Sequence, residues 1–175
     1  MDDIITEIRK SVHFDKPFMY DKRYNETSVI EDTNCFAHAI GSRVTNNRSY
    51  YRLGSISQRK PLDQDYYSEE EIKNLFLADT EMLWLETEEL PILKNKEAII
   101  KDVENVKLDY NQYIVVLFAQ KYADGKIRDF HFIRFDKNIG WTEKRFKQRL
   151  NYMFNINMSW PTFWMEIVGT FLISR

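Results

Sequence analysis

Apolar positions along this chain follow a helical rhythm in the first half and a strand rhythm in the second. Ile4, Ile5, Ile8 and Val12 share one side of a helical repeat, which predicts a short amphipathic helix at the start. His13 to Asn25 carries no period and reads as irregular. Between Glu31 and Gly41, any of Asp32, Thr33 or Asn34 can serve as an N-cap, helix formers follow, and Gly41 is a plausible stop. Cys35 therefore falls in the first turn of a short helix. Ser68 with Glu71 is a capping-box signature, and Ile72, Leu75, Phe76, Asp79 and Leu83 continue it as an amphipathic helix with an acidic face.

From Tyr113 the period changes to two. Tyr113 to Tyr122 is apolar, β-branched and aromatic, Asp124-Gly125 is a hairpin signal, and Ile127 to Phe135 is a second strand antiparallel to the first. A turn over Asp136 to Gly140 leads to Trp141, and Thr162 to Ile173 reads as a further strand with Gly169 marking a bulge. Arg145 to Phe154 fits either element. Helices first and an antiparallel sheet afterwards define the α+β class, with N-terminal helices packed on the sheet. No repeat, low-complexity tract or linker divides the chain, so 1–175 is expected to form one domain.

The composition, 43% hydrophobic and 30% charged, is that of a packed globule and excludes a disordered chain. At 175 residues it can bury roughly two-thirds of its unfolded surface. A formal charge of -2 gives no global field to recruit nucleic acid or an anionic membrane. Charge is nevertheless uneven: ten acids face one base, Lys73, between Asp63 and Glu89, and five bases face Glu143 between Lys137 and Leu150. The start of the chain has neither a basic leader nor a long apolar run, and no window has the length of a membrane span. A cytoplasmic, reducing location is the expectation. The single cysteine excludes an intramolecular disulfide and any multi-cysteine zinc site, and no cofactor or metal is expected.

That cysteine is the candidate nucleophile, because a helix start favours the thiolate through its unpaired amides. A base must come from His13, His38 or His131. His38 lies one helical turn from Cys35, while His131 lies on the strand between Phe130 and Phe132, sharing a face with Asp129, Ile133 and Phe135. If the five-residue turn sets Phe135 opposite Trp141, then Ile133 faces Glu143, and Glu143 stands diagonal to His131 on one face. A carboxylate there orients the imidazole.

The pattern Asn34-Cys-Phe-Ala-His-Ala-Ile-Gly41, then Asp129-Phe-His-Phe-Ile-Arg134 on a strand, then Gly140-Trp-Thr-Glu-Lys144, resembles the papain-like cysteine hydrolases of the bacterial NlpC type. More narrowly, it is similar to a group of small bacterial and phage proteins with Asn-Cys-x-Ala and Asp-x-His motifs. The resemblance implies a papain-like core over 31–175 behind an N-terminal extension, 1–30. It implies Cys35 as nucleophile, His131 as base and Glu143 as orienter, with Asn34, His38, Asp129 and Trp141 as binding residues around them. Glu143 stands where the narrower group carries histidine, His38 where it carries an aromatic residue, and Arg145-Phe146 where Pro-Gly is common.

Two functions follow as expectations. The first is a cysteine-dependent hydrolase of the peptidase or amidase kind, acting on a peptide or amide substrate. The second is a non-catalytic module, such as a phage-encoded inhibitor, that holds a host protein through the acidic segment 63–89 with Tyr66, Tyr67 and Trp84 exposed on it.

Overall fold

The apolar periods form the expected elements, and pairing between distant segments adds others. A computed structural model describes residues 2–12, 29, 32–42, 44, 48–62, 64–90, 99–145, 148–153 and 164–175. Helix α1 spans Asp2–Ser11, α2 Cys35–Ala39, α3 Glu69–Met82 and α4 Ile99–Asn105. The strands are β1 (Glu86–Glu89), β2 (Gln112–Lys121), β3 (Ile127–Asp136), β4 (Gly140–Glu143), β5 (Asn151–Met153) and β6 (Glu166–Ser174). They make one antiparallel sheet in the order β1-β6-β2-β3-β4-β5, so the protein is α+β.

Alternation along β2 divides the core. Tyr113, Val115, Leu117 and Ala119 belong to one buried cluster, which takes in Ile5 and Ile8 of α1, Phe36 of α2, and Ile72 and Phe76 of α3. Ile114, Val116 and Phe118 belong to the other, with Ile99 and Val103 of α4, Ile133 and Trp141. Three helices thus cover one face, as expected, but α4 covers the opposite one. Aromatic rings join the first layer: Phe76 lies 4.9 Å from Phe132 and 5.0 Å from Phe171, and Phe36 lies 5.8 Å from Phe132. These contacts tie α2 and α3 to β3 and β6.

The hairpin signal forms a turn. The Tyr122 N–H donates to the Lys126 carbonyl, leaving a three-residue loop closed by Gly125 at φ 77°. The next turn keeps the anticipated register, with Phe135 opposite Trp141 and Ile133 opposite Glu143. Pairing of β2 with β6 slips between Leu117 and Phe118, placing a bulge beside Gly169, where a Cβ would come within 2.7 Å of the Phe171 ring. Strand β1, Glu-Thr-Glu-Glu, has no apolar alternation; it forms because β6 offers a flank, and its charges suit an edge. Within the ambiguous stretch, 151–153 is strand; His13, Asp63, Phe146, Lys147, Phe154 and most of the extension 1–30 lie outside the described residues.

Helix α3 starts with the anticipated capping box between Ser68 and Glu71. Asp79, however, points inward from the apolar stripe. Its fully buried carboxylate accepts the Gly54 N–H at 2.5 Å and the Ser57 N–H at 2.7 Å, pinning the loop after Leu53. Burial raises this carboxyl from 3.8 to about 6, against the hydrogen bonds it accepts. A group that holds its proton better when folded adds stability below about pH 4, and that contribution fades as pH rises through about 6. Chemical denaturation of wild type and D79N is expected to show the wild type losing roughly 3 kcal/mol relative to the variant across that interval. A constant difference would show that Asp79 does not titrate there.

Among the described residues, four of the acids between Asp63 and Glu89 are engaged within the molecule, while Asp65, Glu70, Glu81, Glu86 and Glu88 are exposed. Glu69 pairs with Lys121, Glu89 lies 3.2 Å from Lys73, and Glu71 closes the capping box. Tyr67 is buried, its backbone bridged to Ile127, which corrects the expectation that it is exposed. Tyr66 is exposed with the Arg128 guanidinium over its ring, and Trp84 is exposed with Arg9 stacked on it. Among the described residues no helix is long and apolar enough to cross a membrane.

Candidate active site

Of the three N-cap choices it is Asn34 that starts α2. Its Oδ1 accepts the Ala37 N–H at 3.0 Å and its Nδ2 donates to the Tyr51 carbonyl at 2.7 Å. Both ends of the amide hold the backbone, so Asn34 positions the helix. Gly41, at φ 72°, ends it: the Gly41 N–H donates to the His38 carbonyl and the Ser42 N–H to the Ala37 carbonyl, a Schellman closure. Tyr113 Oη adds a bond of 2.9 Å to the Ala39 carbonyl. These ties fix a five-residue helix too short to persist alone. They leave Cys35 partly exposed at its first position while Phe36 to Ala39 are buried.

His131 stands opposite Phe118 on β3, and β4 ends at Glu143, opposite Ile133. His131 Nε2 lies 3.0 Å from Glu143 Oε2, and Cys35 is near enough for its charge to bear on the imidazole. Burial on its own would push this imidazole down; Cys35 and Glu143 together outweigh burial and raise it from 6.5 to about 9. Glu143 is fully buried, and its Oε1 accepts from Arg145 Nη2 and Asn151 Nδ2, each at 3.0 Å. With donors on both oxygens the carboxylate is held in one orientation.

Of the anticipated binding residues, Asn34 caps α2, His38 lies within it, and Trp141 and Asp129 stand apart. His38 is buried, with Nε2 2.9 Å from Thr142 Oγ1. Burial first, and then the charges of Arg134, Lys144 and His131, push it well below the usual imidazole range, so it is neutral. It braces α2 on the sheet. Trp141 is 1% exposed and packs 5.0 Å from Phe135 in the second cluster, where solvent does not reach it. Asp129 is exposed and paired with Gln120 near the end of the hairpin.

Lys144 closes the third motif, and the sequence assigns it no role. It is 3% exposed, and its Nζ donates to the Thr33 carbonyl at 3.2 Å and the Arg145 carbonyl at 2.9 Å. A lysine directly after two buried strand positions was the available signal. Among the described residues no group of three metal-ligating side chains assembles. The arrangement is suited to proton exchange between a thiol and an imidazole whose Nε2 is held by a carboxylate. Comparison with protein-family models, curated proteins and solved structures gave no match to this chain.

Proposed function

We propose that the protein is a cysteine-dependent hydrolase of amide or isopeptide bonds, using Cys35, His131 and Glu143 in a papain-like core. The observation that carries this reading is the buried 3.0 Å pairing of His131 with Glu143 near the partly exposed Cys35, made by residues 96 and 108 positions from the cysteine. His131 takes the thiol proton, the sulfur bonds to the carbonyl carbon, and the carbonyl electrons move to oxygen, where backbone amides at the start of α2 receive them. Collapse of that oxyanion breaks the C–N bond, and the imidazolium proton leaves with the amine. Water then attacks the thioester, gives a proton to His131, and the C–S bond breaks as the acid departs. The thiol regains its proton from His131.

The alternative, a non-catalytic module binding through 63–89, keeps Asp65, Glu70, Glu81, Glu86 and Glu88 exposed, but Asp79 is buried, and Glu69, Glu71 and Glu89 have partners within the chain.

The test is alkylation of Cys35 with iodoacetamide at neutral pH, together with hydrolysis of a panel of fluorogenic peptide and isopeptide amides. Labelling about tenfold faster than a free thiol, with hydrolysis lost in C35S, is the expected result. Labelling no faster than free cysteine overturns the reading.

A further inference from the structure

Three consecutive residues at the end of β4 each reach a different part of the site. Thr142 meets His38 within α2, Glu143 meets His131 on β3, and Lys144 meets the Thr33 carbonyl two residues before Cys35. The first two contacts brace the helix and orient the imidazole. The third places an ammonium group against the chain that enters the nucleophile helix.

Resting on the hydrolase reading, we propose that Lys144 is a positioning residue of this site, tying the end of β4 to the entry of α2 and holding a positive charge beside the Cys35 sulfur. A buried ammonium group is costly unless hydrogen-bonded, and here it is bonded to the Thr33 and Arg145 carbonyls. The neighbouring Glu143 carboxylate projects to the other side of the strand, toward His131, Arg145 and Asn151. The Thr33 carbonyl that Lys144 holds stands two residues before the sulfur; burial draws the amine down to about 8, and the charge of Cys35 works against that pull. At neutral pH the amine keeps most of its charge, and a negative sulfur, or the oxyanion formed beside it, meets a fixed cation that requires no solvent rearrangement.

The experiment compares alkylation by anionic iodoacetate with alkylation by neutral iodoacetamide at neutral pH. The ratio of the two rates reads positive charge at the sulfur, which a purely structural role would leave unchanged. K144M is expected to lower that ratio on the order of tenfold, and K144R to recover it. K144Q keeps a donor for the carbonyls without charge; it is expected to match K144M and serves if K144M does not fold. An unchanged ratio in the uncharged variants, with H131A still slowing the labelling, overturns the role of Lys144 and leaves the hydrolase reading standing. Wild-type labelling at the rate of a free thiol, indifferent to H131A, overturns the hydrolase reading and this inference with it.

Discussion

H131A is expected to reduce amide hydrolysis by roughly a hundredfold to ten-thousandfold, the range over which a positioned acid–base group contributes. It should also slow alkylation of Cys35 at neutral pH about tenfold, because an unassisted thiol is only a few per cent ionised there. His131 is raised from 6.5 to about 9 in the folded protein. Its charged form therefore adds stability below about 6.5, and that contribution is lost as pH rises through about 9. Hydrolysis, which needs the imidazolium proton for the leaving amine, is expected to fall on the same alkaline limb. E143Q removes the anionic partner, and the limb should move toward neutral pH while the protein stays folded. A pH–rate profile for wild type and E143Q decides this, and coincident limbs would remove Glu143 from the triad.

Asp136→Ala is expected to be the most destabilising single change in the sheet. Arg134 Nε donates to Asp136 Oδ2 at 2.8 Å and Nη2 to Oδ1 at 2.7 Å, a two-pronged ion pair with both partners buried. The guanidinium also lies 3.7 Å from the centre of the Tyr113 ring, whose hydroxyl holds the Ala39 carbonyl of α2. Removing the carboxylate leaves a cation in the interior, at a cost of about 3–5 kcal/mol. The melting temperature should fall on the order of 10 °C. Replacing both residues, Arg134→Met with Asp136→Ala, should recover much of the loss, since the burial penalty of the cation goes with it. Thermal melts of the single and double variants test this; a single variant as stable as wild type would show that the pair carries no net stabilisation.

The parts legible in the sequence were those fixed by local rules. The capping box at Ser68, the glycine that ends α2, and the odd–even alternation around His131 each follow from backbone chemistry within a few residues. The register that brings Glu143 to His131 was legible because the turn from Asp136 to Gly140 has a definite length. What escaped was set by distant partners. Strand β1 exists because β6 pairs with it across more than eighty residues, and Asp79 turns inward because two amides of the 54–57 loop need an acceptor. Lys144 and Arg134 close two of the quoted motifs, and only the packed sheet shows both in the interior. The Asn34 side chain caps the helix start, and Trp141 packs in the second core cluster.

The strand order also governs when the molecule can take shape during synthesis. Strand β6 lies between β1 and β2, so one flank of β2 stays without a neighbour until 166–174 have left the ribosome. A nascent chain already carries its sulfur, imidazole and carboxylate by residue 143, yet Phe171 and Ile173, members of the core cluster against which Cys35 packs, arrive about thirty residues later. Vectorial production of the polypeptide thus separates having the reactive groups from having the frame that aligns them.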